Sequence, residues 1–138
     1  QFSRIINHHQ GFSIIERVSN QNDWKVDLSE IARIWTEGCI IKSDFMEELV
    51  NHFKTNGSIL FKLSETIKKT HASAQSVAIT GIQKELHIPC LLEAVNYFHG
   101  IKTTKSTANV IQAQRDYFGA HTYKRIDDDS GKSYHTEW

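Results

Sequence analysis

The residues best suited to chemistry stand together in one run, Gln114–Arg115–Asp116–Tyr117–Phe118–Gly119–Ala120–His121. An arginine guanidinium offers forked N–H donors that match the oxygens of a phosphate or a carboxylate. His121 lies just past a glycine that should end a helix, where the chain can turn its imidazole back towards the same spot. Tyr117 and Phe118 are expected to anchor that turn by burial. A plainer arrangement uses the same residues: Arg115 pairs with Asp116 or another acid on the helix surface, and His121 is an ordinary cap. On chemistry alone both stay open.

The other candidate clusters are weaker. His8 and His9 are adjacent, so on a helix they point about 100° apart and do not readily face one metal ion. No HExxH or CxxC spacing accompanies them. The triplet Asp127–Asp128–Asp129 lacks the alternating ligands of a calcium loop and reads as a solvated face. Cys39 and Cys90 are isolated in apolar contexts and are expected to be buried thiols. Lys102 and Lys105 do not make a basic recognition helix, and 16 Lys and Arg balance 16 Asp and Glu. That neutrality argues against a nucleic-acid partner. No apolar run approaches the roughly 20 residues that span a bilayer, and the start has no signal-peptide layout. No site for a metal is expected.

The elements that must carry these residues read as helices. A sole proline, Pro89, and only seven glycines leave little room for long loops in 138 residues. Phe2, Ile5, Phe12, Ile15 and Val18 follow helical spacing, with Gly11 inside it and a polar loop at 19–23. That first helix opens without a capping lead-in, so the chain reads as part of a longer protein. Asp27 and Glu30 have capping-box spacing before a short helix with Ile31, Ile34 and Trp35 inward. Ser43 should cap a third helix burying Phe45, Leu49, Val50 and Phe53 and ended by Gly57. A long helix over 64–86 carries a thin stripe of Ile67, His71, Ala74, Ala78 and Ile82, with Val77 beside it. Pro89 fits the first turn of the next, with Leu91, Leu92, Val95 and Phe98 inward. Thr107 should cap a last helix that runs to Phe118 and stops at Gly119. The expected fold is therefore all-α: an antiparallel multi-helix domain over residues 1–121 with five or six helices. An extended C-terminal tail, 122–138, carries a tyrosine and a tryptophan that need somewhere to dock.

The longer run Ala108–Asn109–Val110–Ile111–Gln112–Ala113–Gln114–Arg115–Asp116–Tyr117–Phe118–Gly119–Ala120–His121–Thr122–Tyr123 closely resembles the C-terminal signature of decarboxylating 6-phosphogluconate dehydrogenases. Further matches fall in the same order: Gln10–Gly11–Phe12, then Trp35 with Gly38–Cys39–Ile40–Ile41, then Ile88–Pro89, and finally His135–Thr136–Glu137–Trp138. The resemblance covers essentially the whole chain. Departures from the family pattern are Thr36 and Lys42 in place of arginines, Cys90 and Thr107 in place of prolines, the stretch Phe98–His99–Gly100–Ile101–Lys102, and His8 and His9.

The resemblance implies a cytoplasmic homodimer. In the pentose phosphate pathway such an enzyme oxidises 6-phosphogluconate with NADP, releases carbon dioxide and gives ribulose 5-phosphate, without a metal. It implies that Arg115 and His121 reach the substrate phosphate in the partner subunit's site and that the tail docks on the partner. The cofactor fingerprint and the acid–base lysine and glutamate would lie upstream, leaving no catalytic residue in this chain, which alone should be inactive and bind no NADP. A rival is a non-catalytic helical dimerisation or interaction module derived from the same family.

Overall fold

The computed structural model describes residues 1–55 and 58–138. Among them are seven helices: α1 (Phe2–Gln21), α2 (Leu28–Ile34), α3 (Asp44–Phe53), α4 (Ile59–Lys62), α5 (Ser64–Gln83), α6 (Pro89–Lys102) and α7 (Ala108–Gly119). The all-α expectation holds, with α4 the element that went unforeseen. Among the described residues the sole β pairing is an isolated antiparallel bridge between Tyr123 and Tyr134. The chain divides into two compact units, Gln1–Phe98 and His99–Trp138.

The first unit is built on apolar burial. Phe2, Ile5, Ile6 and Phe12 of α1 are enclosed with Met46 and Leu49 of α3, Ile59, Ile67, Ala74 and Ala94. Aromatic rings complete this core: Phe12 meets Phe53 at 4.5 Å between centroids, and Phe2 meets Phe98 edge-on at 5.3 Å. Caps appear where the sequence places them. Asp27 accepts from the backbone N–H groups of Ser29 and Glu30, and Ser43 accepts from Met46. The capping box is one-sided, however, because the Glu30 carboxylate turns to Arg33 instead of reaching back.

Several expectations are corrected. The loop over 19–23 begins later, since α1 continues to Gln21 and Ser19 is buried, its Oγ accepting from Val26 N–H at 2.9 Å. A side chain that satisfies a loop amide in this way is polar but belongs to the core. Ile34, Val77 and Ile82 face outward in this chain. On α5 the close-packed line is instead Ile67, Ala74, Ala78 and Gly81. An added Cβ at Gly81 would lie 2.1 Å from Ile88 Cδ1, so the glycine there permits close approach. Gly11, by contrast, faces open space. Cys90 is exposed and Cys39 half-buried. The expected stop at Gly57 lies outside the described residues.

Candidate functional site

Residues 108–138 position the candidate site. Thr107 precedes α7 without capping it through its side chain; Ser106 Oγ accepts from Ala108 N–H instead, at 3.3 Å. At the other end Gly119 is still helical. The chain leaves the helix at Ala120, whose φ of 48° is left-handed, and the Ala120 N–H returns to the Asp116 carbonyl. The turn therefore falls one residue beyond the glycine. Gly119 has a different use: an added Cβ would lie 2.9 Å from two atoms of the His121 ring, which folds back over it and packs near Phe118.

Asp116 is fully enclosed and is the centre of this unit. Its Oδ1 accepts from Thr122 N–H at 2.9 Å and from His135 Nδ1 at 3.0 Å. Oδ2 accepts from Thr136 N–H at 3.0 Å and from the Trp138 indole N–H at 3.2 Å. Burial pushes this carboxyl towards the protonated form. The donors from Thr136, His135, Trp138 and Thr122 favour the anion more strongly and together draw its pKa down to about 2.

The tail is folded back by that carboxylate. Tyr123 and Tyr134 exchange backbone hydrogen bonds at 2.8 Å, their rings stack, and Tyr123 hydroxyl meets Thr136 Oγ1 at 2.8 Å. The acidic triplet is only in part the solvated face expected of it. Asp127 pairs with Arg125, and Asp128 accepts from the Tyr134 hydroxyl and from Ser130 N–H. The hydrogen bond from Arg125 holds the Asp127 carboxyl at about 2, and that from the Tyr134 hydroxyl does the same for Asp128.

Arg115 is exposed, and among the described residues it makes no ion pair. Its Nη1 donates to the neutral Gln112 Oε1 at 3.3 Å. The neighbouring carboxylate, Asp116, is turned inward and committed to the tail, so the surface ion pair considered above is not what the chain builds. His121 is exposed too. Tyr117 and Phe118 are not buried anchors; they are 68% and 73% exposed. The anchor is Asp116, in the last turn of α7, and its donors are brought together only by the folded tail. Gln112 was missed as well. Its Oε1 takes the Arg115 donor while its Nε2 donates to the Thr122 carbonyl.

No group of three or more His, Cys, Asp or Glu side chains among the described residues is placed to hold a metal. His8 donates from Nδ1 to the Arg4 carbonyl and lies edge-on to Phe45, whereas His9 faces Tyr97. A cleft of about 500 Å³ opens in the first unit beside His9, Glu16, Ser19 and Asp27. It contains neither Arg115 nor His121. Among the described residues no helix is long and apolar enough to cross a membrane.

Comparison with known proteins converges on one family. The family model described as 6-phosphogluconate dehydrogenase, C-terminal domain, matches residues 1–138. The decarboxylating 6-phosphogluconate dehydrogenase of Chlamydia pneumoniae is 37% identical over 141 residues, covering 99% of this chain and 29% of that protein. That of Buchnera aphidicola subsp. Schizaphis graminum is 39% identical over 140 residues, with 98% and 29% covered. Among solved structures, Plasmodium falciparum 6-phosphogluconate dehydrogenase superposes with a TM-score of 0.89 at 34% identity, over 99% of this chain and 30% of that one. That enzyme is described in its apo form, with its cofactor NADP+ and with its substrate 6-phosphogluconate. The chain thus spans a little under a third of the length of these relatives.

Proposed function

This chain belongs to the family of 6-phosphogluconate dehydrogenase C-terminal domains, and on that premise we propose that it is the substrate-binding and dimerisation portion of a decarboxylating 6-phosphogluconate dehydrogenase. The proposed enzyme is a cytoplasmic homodimer of the pentose phosphate pathway that converts 6-phosphogluconate to ribulose 5-phosphate and carbon dioxide. NADP belongs, in this proposal, to the rest of the enzyme, where it accepts the hydride; no residue of this chain is assigned to it. Arg115 and His121 bind the substrate phosphate in the partner's site, and the segment 122–138 docks on the partner.

The observation that carries this reading is the state of Arg115: an exposed guanidinium with no carboxylate partner among the described residues, beside an aspartate fully used elsewhere. A cation that forms no ion pair among the described residues is suited to receive an external dianion. The forked donors fix a phosphate in direction as well as in place. Binding energy gathered at the phosphate, remote from the reacting carbon, orients the sugar acid for oxidation. His121, turned over Gly119 beside Phe118, supplies a second donor.

In the full-length dehydrogenase, Arg115→Ala should weaken 6-phosphogluconate binding by about 2–5 kcal/mol while leaving NADP binding nearly unchanged. Arg115→Lys should recover only part of the loss, since an ammonium lacks the fork. His121→Ala should be milder, since it removes a single donor and leaves the arginine fork in place. Mixing Arg115→Ala subunits with subunits lacking the catalytic lysine should restore one working site per heterodimer. Heterodimers that form and fold but stay inactive would show that Arg115 does not act across the interface.

A further inference from the structure

The turn that carries His121 has an unusual backbone. Thr122 has a φ of 61° and Ala120 one of 48°, so His121 stands between two left-handed residues. For a β-branched residue such as threonine that conformation is an outlier. It persists only where the surroundings over-determine it. Here both polar groups of the Thr122 backbone are taken up by α7: the N–H donates to Asp116 Oδ1 at 2.9 Å, and the carbonyl accepts from Gln112 Nε2. Gln112 and Asp116 are four residues apart, hence on one face of the helix. The other end of the Gln112 amide is occupied as well, because Oε1 accepts from Arg115 Nη1 at 3.3 Å.

A primary amide is suited to this double role, since it donates and accepts at once. A glutamate would serve Arg115 but could not donate to the Thr122 carbonyl; an alanine would serve neither. We infer that Gln112 is a positioning residue: its one amide ties the Arg115 guanidinium to the His121-bearing turn, so that both present their donors to the phosphorylated substrate in a fixed relation. This rests on the phosphate-binding reading of Arg115 and His121. Asp116 holds the same turn by accepting from Thr122 N–H, but among the described residues only Gln112 is hydrogen-bonded to both the turn and the arginine.

The test uses the full-length dehydrogenase, with steady-state kinetics against 6-phosphogluconate for Gln112→Ala, Gln112→Glu, Arg115→Ala and the double variant Gln112→Ala/Arg115→Ala. Loss of a hydrogen-bonded link to a charged group should raise KM about tenfold in Gln112→Ala, with kcat and the thermal midpoint nearly unchanged. Gln112→Glu, which loses the contact to Thr122 and pairs Arg115 with a carboxylate in competition with the phosphate, should raise KM at least as much. In the Arg115→Ala background, removing Gln112 should add clearly less than its own factor, because part of its effect passes through the arginine. Effects that multiply fully, an unchanged KM in Gln112→Ala, or a fall in kcat and thermal midpoint together with KM would each overturn the positioning role. A raised KM in Arg115→Ala beside an unchanged KM in Gln112→Ala defeats this inference alone. An unchanged KM in Arg115→Ala defeats the phosphate reading and the inference with it.

Discussion

The two units of this chain are held by different forces. Residues 1–98 close around apolar side chains contributed by six helices, with Phe2, Ile5, Ile6, Phe12, Met46 and Leu49 almost entirely enclosed. Residues 99–138 bury no large apolar side chain to that degree, and Val110, Ile111, Tyr117, Phe118 and Ile126 are all mostly exposed. Their centre is the carboxylate of Asp116. Apolar burial is non-directional and tolerant, whereas hydrogen bonds to an enclosed anion are directional and fix one geometry. The unit that carries Arg115 and His121 is the one organised by direction. Sites that must hold donors to a fraction of an ångström are best supported in this way.

The contrast is sharpened most by removing a large core side chain. Phe12→Ala should destabilise the first unit by about 3–5 kcal/mol, while Ile111→Ala on the exposed face of α7 should stay within about 0.5 kcal/mol. Denaturant titration of both variants measures the difference, and equal losses would erase the distinction between the units. Next in size is Asp116→Asn, which keeps the shape but replaces the anion by a group with its own N–H donors. Amide exchange at Thr122, Tyr123, Tyr134 and Thr136 should then quicken roughly 10- to 100-fold, with Ile5 and Ile6 unaffected. Exchange that quickens equally in both units would show that the carboxylate is a global stabiliser.

Acid should act in the same sense and more gradually. The Asp116 pKa lies at about 2 in the folded chain, below the ordinary aspartate value of about 3.9. A depressed carboxyl contributes stability that is complete above the ordinary value and is lost as pH falls towards the folded one. Tail amides should therefore lose protection between about pH 4 and pH 2, and Asp116→Asn should remove much of that dependence. A tail whose protection is flat across this window would contradict the role of the anion. The smallest effect is expected at Gly11, which lies in mid-helix with open space where a Cβ would stand. Gly11→Ala should stabilise the chain by about 0.5–1 kcal/mol in thermal unfolding. A loss instead would mean that this face of α1 is covered by something else.

The same contrast explains what could be read from the sequence. Helical spacing and caps at Asp27, Ser43 and Pro89 located most of the helices, because apolar periodicity is the direct imprint of the force that holds the first unit. It was less able to say which part of an apolar stripe this chain covers for itself. Ile34, Val77 and Ile82 fit the pattern and face outward, while small Ala78 and Gly81 do the packing. In the second unit aromatic bulk pointed to the wrong residues. Tyr117 and Phe118 have the bulk of anchors but are exposed, and the anchor is a charged residue between Arg115 and Tyr117. A buried aspartate leaves no trace in hydropathy; it is defined by donors up to 22 residues away that only the folded tail brings together. Arg115 and His121 stood out by chemistry and by resemblance. Gln112 did not, because an amide on a helix surface is uninformative until both of its ends are seen occupied.

The reach of Asp116 also bears on the order in which the chain acquires structure. Its partners lie 6, 19, 20 and 22 residues further along, whereas the first unit joins Asn7 to Cys90 across 83 residues. Short closures form quickly, on the order of microseconds for a hairpin, and long ones wait for the loop between them to be organised. In refolding from denaturant, the Tyr123–Tyr134 pairing and its lock on α7 are thus expected early and closure of α1 onto α6 late, an order that pulse-labelled amide exchange measures.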